Sequence, residues 1–168
     1  MTAYMVTPPA SLPVTVAEMK AHMNVAHDDD DVDIQARIAS AVADLDGIGL
    51  LGRCIMPQTW AMEVTGPGPH LLPFPDASNI TAQADGASLA VEVARTASGQ
   101  SVTVSEALAD QAVMLQFVCG LPAHRLPAAQ MLVKLLVHRD FDQMAGPEYD
   151  AHTRTIQGLI NSLRWRRI

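Results

Sequence analysis

The chain has 168 residues, of which 49% are hydrophobic, 17% charged and only 4% aromatic. That length suits one domain with a sizeable core, and the balance excludes general disorder, which requires low hydrophobicity and high charge. With aromatics so sparse, the core is expected from Ala, Val, Leu, Ile and Met, while a net charge of −7 disfavours binding to phosphate backbones. The low charge has two readings that composition leaves open: an alanine-rich sequence, or a surface partly covered by another chain.

In chain order, Thr7 to Pro13 holds three prolines and reads as an extended lead-in. Thr15, followed three residues later by Glu18, is a capping-box pattern and opens a short helix to about His22. A longer helix is predicted from Asp31 to Leu51, with Ile34, Ile38, Ala41, Leu45 and Ile48 on one stripe. Five aspartates (Asp28, Asp29, Asp30, Asp31 and Asp33) cluster at its start, where the helix dipole favours negative charge.

The middle third reads as strands. Gln58 to Val64 alternates Trp60, Met62 and Val64 against Thr59, Ala61 and Glu63. A glycine–proline turn spans Gly66 to Pro69, and Leu71 to Phe74 is a short extended segment. Ile80 to Ala84 and Ser88 to Val93 flank Asp85-Gly86, a hairpin signature. A turn at Ser98-Gly99, a short strand at Val102 to Val104 and a buried strand at Ala112 to Val118 follow. Helices return from Pro127 to about Phe141 and from Thr155 to about Trp165. The expected class is α+β: an N-terminal helix pair, a central block of short antiparallel strands, and C-terminal helices, in a single domain over residues 1–168.

Sites of chemistry find little support in the sequence. An EF-hand starting at Asp28 would need Gly and Glu where Asp33 and Ala39 stand, and one starting at Asp29 would need them at Ile34 and Ser40. His138-Arg139-Asp140 has the first letters of a kinase catalytic loop, but Ala145 occupies the required Asn position. The six histidines form no i, i+4 pair and no HExxH, and no P-loop, GxGxxG or GxSxG occurs. No catalytic residue, metal ligand or cofactor is therefore expected. Cys54 and Cys119 form no CxxC and read as two reduced, buried thiols. Neither a signal peptide nor an apolar run of about 20 residues is visible, so a soluble, cytoplasmically made protein is expected.

Two segments stand out as candidate surfaces. One is the acidic run, and the other is the C-terminal Leu163, Arg164, Trp165, Arg166, Arg167 and Ile168. Trp and Arg are enriched at interface hot spots, although a basic helix end also complements the dipole.

Pro8-Pro9, Leu12-Pro13-Val14-Thr15 with Glu18, the His27 to Asp31 joint and Arg53-Cys54-Ile55-Met56-Pro57-Gln58-Thr59-Trp60 lie in this order along the first half. With the proline-bounded Leu71 to Pro75, they resemble the head–tail connector (adaptor) family of tailed phages; the second half is similar only in the order of its elements. The resemblance implies a non-enzymatic virion protein, made in the host cytoplasm and placed in the virion neck. It would form a homo-oligomeric ring of about twelve subunits as a closed symmetric assembly. Implied partners are the portal protein above and a neck or tail-completion protein below, with DNA passing through the channel without sequence-specific binding and no membrane involved. On that reading the five aspartates are candidate channel-facing residues, and the C-terminal six a candidate anchor on the portal or a neighbouring subunit. The alternatives are a tail-completion or other neck protein and, from a different class, an enzyme of unknown type.

Overall fold

The computed structural model describes residues 2–96, 99–142 and 146–165. The chain is α+β, as expected, and divides into two compact units. Among the described residues, one unit joins 2–10, 56–96, 99–121 and Trp165 and contains the strands; the other joins 11–55, 122–142 and 146–164 and contains the helices. Each unit is assembled from separate stretches of chain.

The strand unit holds a five-stranded antiparallel sheet in the order β1 (Ala3–Thr7), β2 (Gln58–Thr65), β8 (Ala112–Cys119), β4 (Ala77–Ala84), β5 (Ala87–Leu89). A second antiparallel sheet is ordered β3 (His70–Leu71), β7 (Gly99–Thr103), β6 (Glu92–Thr96). Side chains alternate across β2 as the two-residue period requires. Gln58, Trp60, Met62 and Val64 pair with Cys119, Phe117, Leu115 and Val113 of β8, and all eight are buried. Ala77, Ala82 and Ala84 of β4 are buried too. Phe74 closes this core with its ring 4.9 Å from Trp60 and 6.4 Å from Phe117, in edge-on and tilted arrangements. Such contacts add to burial because ring edges are positive and faces negative.

The turns carry residues that tolerate their geometry. Asp85 and Gly86 both have positive φ (52° and 78°), the conformation a two-residue hairpin needs. The strand expected over Ser88 to Val93 is interrupted after Leu89: β5 ends there, and Glu92 starts β6 in the other sheet. At Gly68 (φ 97°) a Cβ would lie 2.9 Å from the Val102 carbonyl oxygen, so only glycine fits. The same turn is tied by His70 Nε2, 2.9 Å from the Gly66 carbonyl oxygen.

The helical unit contains α1 (Val16–Met23), α2 (Asp31–Leu45), α3 (Leu126–Phe141) and α4 (Gly146–Leu163). The Thr15–Glu18 capping box is complete: the Glu18 amide donates to Thr15 Oγ1 at 3.2 Å, and the Thr15 amide donates to the Glu18 carboxylate at 2.8 Å. These hydrogen bonds hold the Glu18 carboxyl below the usual carboxylate range. Ile34, Ile38, Val42 and Leu45 form the buried stripe of α2.

The second helix stops six residues before its expected end. Asp46 turns extended and its carboxylate accepts the Ile55 amide at 2.6 Å, while Gly47 (φ 59°) donates to the Arg53 carbonyl at 2.8 Å. This side-chain alternative to a further helical turn is why aspartate ends helices readily. Ile48, expected on the buried stripe, is consequently 79% exposed, whereas Leu51 is buried from within the loop. In α3, Ala129, Leu132, Val133, Leu135 and Val137 form the buried side, while Met131 is exposed. Finally, α4 begins at Gly146, nine residues before the predicted start.

Neither cysteine is a free thiol; both Cys54 and Cys119 are disulfide-bonded. This corrects the expectation of two reduced thiols.

Candidate functional site

The acidic run lies where the sequence places it, at the joint between α1 and α2, but its charges are largely answered. Lys20, from α1, donates to the carboxylates of both Asp28 and Asp31, the latter at 2.7 Å. The hydrogen bond to Asp28 is the main cause holding the Lys20 ammonium above its ordinary value, and it holds the Asp28 carboxyl below its own. Asp33 accepts from Arg37 Nε one helical turn on, at 2.7 Å. The Arg37 guanidinium also donates to the Asp140 carbonyl at 3.0 Å and lies 5.8 Å from the Phe141 ring centre. His27 Nδ1 sits 3.9 Å from Asp29 and 3.7 Å from Asp30. Asp30 occupies the N-cap position of α2 without a side-chain capping bond. The joint is therefore an acidic patch with cations built into it, not a bare row of five charges.

The C-terminal candidates part company. Leu163 is buried at the end of α4, and Arg164 is exposed, its amide bonded to the Ile160 carbonyl at 2.8 Å. Trp165 belongs to the strand unit, where a Cβ on Gly99 would lie 3.4 Å from Cζ2 of its indole. Part of the indole's contact surface is thus engaged by β7 of the same chain. Arg166, Arg167 and Ile168 lie outside the described residues.

A third cluster was invisible to sequence reading. His22 of α1, His138 of α3 and His152 of α4 stand edge to face, with ring centres 5.2 Å (22–138) and 5.6 Å (138–152) apart. Their sequence separations exceed any helical spacing, so no motif could report them. Among the described residues no group of three His, Cys, Asp or Glu side chains is arranged to hold a metal ion.

Surface apolar side chains complete the inventory. On β1, Tyr4, Met5 and Val6 are 51%, 43% and 47% exposed, and among the described residues the outer edge of this strand has no pairing strand. Every residue of β6, another edge strand, is exposed. In the helical unit Val32, Ile48 and Leu50 are exposed. The depressions are shallow: one of roughly 220 Å³ is lined by Arg37, Arg139, Asp140 and Asp44, and one of roughly 570 Å³ by Lys20, Asp28, Asp31 and small apolar side chains of α1.

The fold and these surfaces define an α+β protein whose most conspicuous features are an exposed apolar edge strand, β1, and an ion-paired acidic joint. No family model matches the chain, and no curated protein is significantly similar to it. No helix among the described residues is long and apolar enough to cross a membrane.

Proposed function

We propose that this chain is a head–tail connector subunit of a tailed phage or phage-like particle: a structural protein that forms a ring below the portal and lines the channel through which DNA leaves. The observation that carries the reading is β1, an edge strand with no pairing strand on its outer side among the described residues and apolar side chains uncovered on both faces. Natural proteins blunt open edges with charge, proline or a covering element, because an unprotected edge recruits another chain. None of the five residues of β1 is charged or proline. A heterologous contact repeated around a closed ring covers such a strand in every copy at once.

Two further observations support it. Residues of the Pro57-Gln58-Thr59-Trp60 element have clear structural duties. Gln58 and Trp60 are buried on the inner face of β2, and Pro57 abuts Gly120, where a Cβ would stand 3.1 Å from the proline ring nitrogen. The acidic joint, for its part, suits a lumen past which DNA slides without adhering. On this reading Asp28, Asp29, Asp30, Asp31 and Asp33 face the channel, Leu163 to Ile168 contribute to docking, and the partners are further copies of the chain, the portal, and a neck or tail-completion protein. The site is one of assembly, and no catalytic step is assigned to it.

The test is co-purification with portal rings on which connector binding sites are exposed. Saturable binding of the purified chain is expected. A chain that remains monomeric and never binds the portal would overturn the reading.

A further inference from the structure

The histidine cluster has a physical peculiarity that assembly does not require. Each of its three rings has one buried nitrogen with no hydrogen-bond partner among the described residues: Nε2 of His22, Nδ1 of His138 and Nδ1 of His152. For His138 the other nitrogen is committed, since Nε2–H donates to the Asp142 carboxylate at 2.9 Å. That bond leaves Nδ1 as a bare lone pair in a dry setting. A neutral imidazole tolerates this, because only one of its nitrogens carries hydrogen. A protonated imidazole has two N–H donors, and here one of them has no acceptor.

We infer that His22, His138 and His152 form an acid-sensitive latch: neutral, they hold α1 and the first half of α4 against α3, and protonation releases both. The three rings bridge three helices that otherwise share few buried side chains at this point. Met19 is the sole buried residue of α1. Between Gly146 and Thr155, α4 has none; its buried residues are Ile156 and Leu163. That first half is met instead by the His138–His152 ring contact and by the Arg139 guanidinium lying 5.7 Å from the Tyr149 ring centre.

Around His22 the causes act in one direction. Lys134 of α3 acts on His22 as a like charge, with His138 and His152, and burial acts in the same sense as the largest cause, so His22 titrates below its ordinary value. Asp142 is the carboxylate bound to the cluster, at His138. Other nearby charges are spoken for or face water: Glu18 caps α1, Lys20 holds Asp28 and Asp31, Arg37 of α2 pairs with Asp33, and Asp150 and Arg154 of α4 are exposed. A histidine whose folded value is depressed binds more protons when unfolded, so its contribution to stability is complete above about pH 6.5 and is lost as pH falls through the folded value. The latch is closed at neutral pH and opens on mild acidification, independently of the connector reading.

Hydrogen exchange on the intact chain tests this. Between about pH 7.5 and 5.5, after correction for intrinsic rates, amides of α1 and of residues 146–155 should lose about tenfold or more of their protection, while β2 and β8 keep theirs. Replacing His22→Phe and His152→Phe together keeps flat rings in place and removes two titrating groups, so this pH dependence should largely vanish. Unchanged protection in the wild type, or an equal loss in the variant, would overturn the latch. Should the variant fail to fold, the imidazole NMR titration of the wild-type chain decides: a His22 midpoint at or above that of a histidine in an unfolded peptide contradicts it. Saturable zinc binding at neutral pH that raises the melting temperature and is reversed by a chelator would also overturn it, by assigning the buried nitrogens to a metal.

Discussion

Replacing Phe74→Ala is expected to destabilise the strand unit by about 3–5 kcal/mol, the usual range for deleting a buried phenylalanine. Phe74 is nearly inaccessible and lies against Trp60 and Phe117, which face each other directly across β2 and β8. Its removal costs the transfer of a large side chain, leaves a cavity over the cross-strand pair, and abolishes two aromatic interactions. Those interactions are worth about 0.5–1.5 kcal/mol each beyond burial. With just three phenylalanines in the chain, the core has few other large rings to fill the space. Urea denaturation followed by tryptophan fluorescence measures the loss. Val32→Ala, at an exposed position of α2, is the matched control and should change stability by less than about 0.5 kcal/mol. A Phe74→Ala loss below about 1 kcal/mol would mean that this aromatic group does not organise the sheet.

The second large effect is on assembly. Tyr4→Lys with Val6→Lys places two charges on β1, at positions about half exposed in the single chain. The backbone pairing of β1 with β2 is unaffected, and the Tyr4 hydroxyl gives up only a weak hydrogen bond, 3.6 Å long, to the Met114 sulfur. Folding should therefore change little, while lysines on an open edge oppose its pairing with another chain. If the proposed ring forms through β1, the expected outcome is a folded variant that assembles less than the wild-type chain under the same conditions, with an unaltered far-ultraviolet circular dichroism spectrum. Assembly equal to that of the wild type would remove β1 from the interface.

Much of this architecture is legible in the residues because several elements carry their own local chemistry. Thr15 and Glu18 specify the start of α1, Asp85-Gly86 specifies a hairpin turn, and the alternation in Gln58 to Val64 specifies which face of β2 is buried. The misplacements arise where a tertiary partner decides. Asp46 ends α2 by reaching the Ile55 amide, a bond that apolar periodicity cannot register. The first half of α4, Gly146 to Thr155, is polar and lacks an apolar stripe, so only its second half reads as a helix. β1 is only five residues long and joins the Thr7 to Pro13 lead-in at Thr7, so the segment carries little strand signal of its own until β2 is seen to pair with it.

The candidate sites follow the same division. The acidic joint is visible as composition, but its pairing with Lys20 depends on how α1 and α2 fold against each other. The histidine cluster brings His22 to His138 and His152, more than a hundred positions away and on two other helices, and no spacing rule applies to it. The oxidised state of Cys54 and Cys119 likewise depends on the fold, because two isolated cysteines without a motif give no pairing signal.

The central claim is that this chain closes into a ring. Native mass spectrometry of the purified protein, alone and with portal, measures that most directly, with particle images to show closure. The account predicts a discrete assembly of about twelve copies with a central channel, formed by the chain itself or on the portal. A species that stays at the 18.0 kDa of the single chain under both conditions would contradict it.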